Sequence, residues 1–387
     1  MRTHKVLIST AALFVTATAC ERDLTTGASS PEPDIASARQ TASYSVSFID
    51  LLSGDHENRA RGVNDAGEVV GSSIGTTTGF RAYVTLGGVV TQLAGTSPQA
   101  LAISNGATRF VVGQSSSTPS RWTIVGNSPG SPVFLALGTA TRGSALGVND
   151  AGDAVGVAGS TAAIWDAAGN LTLVATPSGF VNGEGRDIDN AGNAVFVFSR
   201  PEAGWEGGAA IGYLRTAAGQ LIPLGPLGGD VVSYVNGLGP AGGNLVHVAG
   251  SSYSAPSISR AGRWTVDVST GNIVNTQVLN VQSHALALAD DGTATGFTQG
   301  TLNSLKSNAF RWQGGILLSL NPPRGAKMGK AWAISPNGRY IVGESMLQSR
   351  RATLWTFPAP ERWRSEFELR SDLKLSRRDS ATGRAEV

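Results

Sequence analysis

Three histidines are available for chemistry outside the N-terminal twenty residues, His56, His247 and His284, and they lie far apart in the chain. The single cysteine, Cys20, excludes any intramolecular disulfide and any Cys-based metal cluster. An acid–base or metal constellation therefore has to be assembled by folding rather than by local spacing. Asn-Asp-x-Gly corners recur, and Asp187, Asp189 and Asn190 resemble the opening of an acidic calcium loop, but the closing carboxylate is missing. Asn, Asp and Gly at such corners are what a strand-to-strand turn requires for local side-chain hydrogen bonds and positive φ. No catalytic residue, cofactor or metal is expected from these motifs. The best pointer to a ligand is residues 197–208, where Trp205 stands outside every repeat register and is flanked by Arg200, Glu202 and Glu206.

These residues are spaced by a repeat. Residues 145–156, ALGVNDAGDAVG, read as strand, tight turn, strand, and the pattern returns at 60–71, 100–113, 185–196, 285–296 and 331–343, with a degenerate copy at 235–250. A second hairpin follows each copy. In five copies its first strand ends in tryptophan, at Trp122, Trp165, Trp264, Trp312 and Trp355. One position occupied five times by tryptophan is a packing position between units rather than a sugar-stacking platform. Units of four short strands recurring every 40 to 54 residues specify an all-β, seven-bladed β-propeller of four-stranded blades.

The last unit stops after its third strand at Trp355, while residues 44–54 (YSVSFIDLLSG) form a strand with no unit of their own. Pairing the two closes the ring and removes its open edges. A rival for that role is the tail, where Trp363 to Leu375 alternate apolar with charged residues, although a solvated charged tail reads equally well.

In such a blade the second-to-third loops and the blade-to-blade links share one face, and variable loops on a rigid scaffold carry function. The candidate ligand residues on that face are Arg186, Glu202, Trp205, Glu206, Tyr253, His284 and Trp332, with Lys327 and Lys330 nearby. If the chain were an enzyme, Glu184, Arg186, Glu202 and Glu206 are the first acids and bases to test.

Arg2 and Lys5, an apolar run over residues 6–15 and the small residues 16–19 before Cys20 have the build of a secretory signal. Cys20 in this position resembles a lipobox cysteine, so the mature chain is expected to begin there, lipidated. The expected organisation is a signal over 1–19, a flexible linker over 20–43, the propeller over 44–358 and a charged tail over 359–387. A net charge of +2, with charged residues making up only 15% of the chain, leaves no basic footprint for nucleic acid.

With its repeats laid out, the chain resembles the HAF-repeat family of probable extracellular repeat proteins, through ARGVNDAGEVVG, ALGVNDAGDAVG and the Asn308-Ala309-Phe310-Arg311-Trp312 half. The namesake histidine is absent from every copy. The resemblance implies an exported propeller of undetermined role without assigned catalytic residues. The leading expectation is a non-enzymatic, monomeric binding scaffold, anchored by lipid in the bacterial cell envelope at the outer membrane or cell surface, with a protein or carbohydrate ligand. The alternative is an extracellular polysaccharide hydrolase or lyase with its site at the channel mouth.

Overall fold

The corner at the centre of the repeat closes on itself. Asn149 Oδ1 accepts hydrogen bonds from the backbone N–H groups of Ala151 and Asp153, at 3.1 and 2.9 Å, and Asn64 does the same for Ala66 and Glu68. Gly152, at φ 91°, supplies the left-handed step that reverses the chain. In the fourth unit Asp189 takes the asparagine's part, accepting from Ala191 and Asn193, so this acid is used by the turn.

The computed structural model describes residues 44–202, 205–299 and 307–358, and it is all-β and antiparallel throughout. The first unit is the sheet Glu57–Val63, Val69–Gly75, Gly79–Leu86 and Val89–Gln92. The second is built on Gln99–Ile103, Thr108–Ser115 and Thr118–Val125, edged by the two-residue strands Ser128–Pro129 and Val133–Phe134. The third and fourth are again four-stranded, over Gly143–Leu173 and Asn182–Leu224. The fifth and sixth units are joined, because the seventeen-residue strand Asn272–Leu288 is the last strand of one and the first of the other.

The seventh unit consists of Gly329–Ile334, Tyr340–Met346 and Arg350–Thr356. Its fourth strand is Ser45–Phe48 from the other end of the chain, which runs antiparallel to Arg350–Thr356 with Ser45 opposite Thr356 and Phe48 opposite Thr353. Asn58 reinforces this pairing: its side-chain amide donates to the carbonyls of Ile49 and Asp50, and its Oδ1 accepts from Ala352 N–H. The rival strand, Trp363 to Leu375, lies outside the described residues, as does Cys20.

Hydrophobic clusters sit between consecutive units. Trp122 and Ile124 pack with Val70, Val84 and Leu93 of the preceding unit, and Trp264 packs with Leu214 and Leu224. Ile49, Leu52, Val63 and Val69 pack with Val342 and Ala352, joining the last unit to the first. The aligned tryptophans do serve this packing. Trp122, Trp165, Trp264 and Trp355 are fully buried, and each indole N–H donates to a backbone carbonyl about thirty to forty residues upstream.

One local feature positions everything that faces the centre. The first hairpin of each unit carries a β-bulge, which leaves Arg61, Leu101, Leu146, Arg186, Asn236, Leu286 and Trp332 without a cross-strand partner. Beside each bulge the partner strand runs so close that a Cβ on Gly71, Gly113, Gly156, Gly250, Gly296 or Gly343 would fall 1.8 to 2.0 Å from a carbonyl oxygen, which is why the repeat ends in glycine. The fourth unit inverts the pair, with Phe196 facing Gly185.

Residues 197–208 differ from expectation. Among the described residues they are mostly strand rather than loop: Ala194–Glu202 and Trp205–Arg215 pair antiparallel, with Glu202 opposite Trp205, because backbone pairing extends the ladder outward whatever the side chains. The side chains of Glu202, Trp205 and Glu206 lie outside what the structure describes.

Candidate functional site

The first strands of all the units face a common central cavity of about 810 Å³, and every bulged residue lines it. At the end formed by the first-hairpin turns, neighbouring units are tied corner to corner. Asp65 N–H donates to Asn105 Oδ1, Asn105 N–H to Asp150 Oδ1, Asp150 N–H to Asn190 Oδ1 and Asn337 N–H to Asp65 Oδ1, at 2.7 to 2.9 Å. Burial raises the Asp65 and Asp290 carboxyls above their ordinary range, and Asp150 adds to both shifts through its negative charge. Asp65 and Asp150 accept two of these corner-to-corner bonds, and the Asp290 backbone N–H reaches the Pro336 carbonyl. Among the described residues, no three His, Cys, Asp or Glu side chains converge as metal ligands.

The opposite end is chemically richer. Two residues before each bulge the first strands present Arg59, Gln99, Ser144, Glu184, Tyr234, His284 and Lys330, while second strands add Tyr253, Phe297 and Glu344. An aromatic arc runs across the fifth to seventh units: Tyr234 to Tyr253 at 5.4 Å, Tyr253 to His284 at 5.8 Å, His284 to Phe297 at 4.8 Å and Phe297 to Trp332 at 6.2 Å. Lys330 Nζ sits 4.6 Å from the Phe297 ring centre, and the Arg61 guanidinium lies 4.2 Å from that of Trp332. Arg186 is paired with Glu184 at 3.0 Å.

His284 is the hub. Its Nδ1 lies 3.3 Å from Ser251 Oγ and 3.2 Å from Tyr253 Oη, and its Nε2 lies 3.1 Å from Ser259 Oγ, with the Gln299 amide also in contact. Burial, followed by the charge of Lys330, pushes its pKa down to about 4, so the imidazole is neutral at physiological pH. Tyr253 moves the other way. Burial and the adjacent Tyr234 raise its pKa to about 12, against the lowering effects of the Ser251 hydrogen bond and Arg186. A neutral imidazole thus lies beside a phenol that keeps its proton, with cations on either side.

One further acid lines the cavity. Asp187 stands where the other units have Gly62, Ala102, Gly147, Gly237, Ala287 or Ala333, next to the bulge. Its carboxylate accepts hydrogen bonds from Ile188 N–H and, across to the next unit, from Leu238 N–H, both at 2.9 Å. Desolvation by the surrounding strands outweighs both bonds and raises its pKa to about 7.

Of the expected ligand residues, Arg186, Tyr253, His284 and Trp332 are brought to this end of the channel. Lys330 joins them, whereas Lys327 is exposed. His247 instead bonds Thr265 and packs at the Gly292 turn, and is not part of this cluster. Sequence reasoning missed Arg61, Tyr234, Phe297 and Glu344. A signal existed for Arg61: the residue after the small or aliphatic residue opening each repeat is Arg, Leu, Leu, Arg, Asn, Leu or Trp, and so changes in size and charge where its predecessor does not.

No protein-family model and no curated protein matches the chain. Solved structures do. Virginiamycin B lyase from Staphylococcus aureus superposes with a TM-score of 0.53 at 12% identity, over 82% of this chain and 100% of that one. Streptogramin B lyase gives 0.51 at 12% identity, over 81% and 98%. A catalytically inactive histidine-to-alanine variant of the staphylococcal lyase, with quinupristin, gives 0.53 at 12% identity, over 82% and 100%. The shared fold is the β-propeller. These comparisons correct the expectation of a non-enzyme: the structures that this chain resembles over their whole length are lyases, and a propeller with tight turns is no argument against catalysis.

Proposed function

We propose that this protein is an exported, lipid-anchored enzyme of the HAF-repeat type that acts on extracellular polysaccharide as a lyase, at the channel end carrying His284. Its body is a monomeric seven-bladed propeller, in which the joined fifth and sixth units are two blades and the strand Ser45–Phe48 closes the ring. The contacts of the last unit with the first support that closure.

The observation that carries the enzymatic reading is the neutral His284 imidazole beside the protonated Tyr253 phenol, with Arg186 and Lys330 at hand. This set suits elimination from a carboxylate-bearing sugar. The cations offset charge building up on the carboxylate, and the imidazole takes the proton on the adjacent carbon. The electron pair of that C–H bond forms the new C=C as the C–O bond to the leaving sugar breaks, and Tyr253 protonates the departing oxygen. A paired-carboxylate hydrolase fits less well, because Glu184 is occupied by Arg186.

The test is to incubate the protein with polygalacturonate, alginate and hyaluronan and to follow the ultraviolet absorbance of the new conjugated double bond. The expected result is turnover of at least one polymer, reduced about 100-fold or more in His284→Asn, the scale typical of losing a general base. Absence of product from all three, or full activity in His284→Asn, would refute the elimination.

A further inference from the structure

At the junction of the seventh and first units, three neighbouring polar side chains have groups without a hydrogen-bond partner among the described residues. The Arg61 guanidinium lies over the Trp332 ring at 4.2 Å and, among the described residues, makes no hydrogen bond or ion pair. The Trp332 indole N–H is buried and donates to nothing, as is true of Trp312 but not of Trp122, Trp165, Trp264 and Trp355, which all reach carbonyls. Glu344 Oε2 is also buried and accepts nothing, although its charge acts on Arg61. Arg61 and Trp332 both line the central cavity. A folded chain seldom leaves such groups unmatched, and three together mark a place where a partner is missing.

The set contains two donors and one acceptor, and this decides what chemistry fits. A carboxylate or phosphate would satisfy Arg61 and Trp332 but repel Glu344. A cation would satisfy Glu344 alone. A pair of neighbouring hydroxyl groups can do both, since each accepts through oxygen and donates through its O–H. We infer that Arg61, Trp332 and Glu344 form a subsite for a vicinal diol of a neutral sugar ring, with Glu344 accepting from one hydroxyl while Arg61 and Trp332 donate to the ring oxygens. The subsite rests on the saccharide reading of the channel end and deepens it. Phe297 packs against both His284 and Trp332, so the subsite adjoins the reacting position and binds a sugar next to the one that reacts.

The probe is neutral galactotriose, titrated into the full chain while the indole N–H resonance of Trp332 is followed, identified by its loss in Trp332→Phe. That resonance should shift saturably while that of buried Trp355 stays in place. Glu344→Gln should weaken the response about tenfold and Arg61→Met by a similar factor, whereas His247→Gln, outside this cluster, should leave it unchanged. Sodium acetate, which can only accept, should produce little shift. An unmoved Trp332 signal, an unchanged affinity in Glu344→Gln, or a larger response to acetate than to galactotriose would overturn the diol site. The two readings separate cleanly: a shift without turnover of any uronate polymer leaves the diol site standing and removes the lyase, and turnover without a shift does the reverse.

Discussion

Asn58 offers the sharpest test of how the ends of the chain are held. It is fully buried, and its one side chain reaches three backbone groups: the carbonyls of Ile49 and Asp50 on the N-terminal segment and the N–H of Ala352 in the last unit. Asn58→Ala removes all three bonds. Asp50 is exposed, so water can replace the lost donor there, but Ile49 and Ala352 are buried. Each buried group left unsatisfied costs about 1–3 kcal/mol, which puts the loss at roughly 2–6 kcal/mol. At about 2 °C per kcal/mol for a large domain, the melting temperature should fall by about 4–12 °C. The comparison is Ser233→Ala, which removes a buried hydroxyl bonded to Gly212 N–H and Leu224 C=O between the fourth and fifth units, away from the ends. Calorimetry with limited proteolysis separates the two. Asn58→Ala should both melt earlier and expose the Ser45–Phe48 strand to cleavage, whereas Ser233→Ala should lower the melting temperature without freeing that strand. If Asn58→Ala melted like the parent, or left the strand protected, the idea that this residue locks the two ends together would be wrong.

Asp187 should make stability depend on pH. Its folded-state pKa, raised to about 7, exceeds its unfolded value, so the folded chain holds an extra proton in between, and the contribution present below about pH 4 is lost as pH rises through 7. The melting temperature of Asp187→Asn relative to the parent should therefore climb between pH 5 and 8; parallel profiles would show that the carboxyl titrates normally. Gly156→Ala would place a methyl 2.0 Å from the Ser144 carbonyl, so denaturant unfolding should show a loss of about 1–3 kcal/mol or more, and an unchanged midpoint would contradict the close approach at the bulge. Cys20→Ser should abolish labelling by a fatty-acid analogue and release the protein from membranes, and continued labelling would dismiss the anchor.

Much of the architecture was legible because it is local. The Asn-Asp-Ala-Gly corner encodes its own turn through side-chain bonds spanning two to four residues, and the terminal glycine of each repeat follows from a contact inside one hairpin. The tryptophan register announced packing between units, and the orphan strand at residues 44–54 announced its partner, because a missing strand and a spare one are visible by counting. Residues 197–208 were misjudged for the converse reason. A polar, charged composition suggests a loop, yet the ladder from Ala194 and Arg215 continues through it by backbone pairing, to which composition is blind.

The candidate site divides in the same way. Arg186, Tyr253, His284 and Trp332 could be picked from the sequence by their chemistry and by the end of the unit at which they must lie, since strand direction alone determines that end, although the structure places them on strands rather than in loops. What the sequence could not show is that they converge. His284 meets Tyr253 from a different strand and Phe297 from another, and Arg61 reaches Trp332 although 271 positions separate them, because the two ends of the chain are neighbours in space. The shifts that define the chemistry are likewise tertiary. An imidazole titrating near 4 and a carboxyl near 7 arise from desolvation by strands of neighbouring units. Desolvation depends on what surrounds a group in three dimensions, and residue type and spacing along the chain carry no record of it.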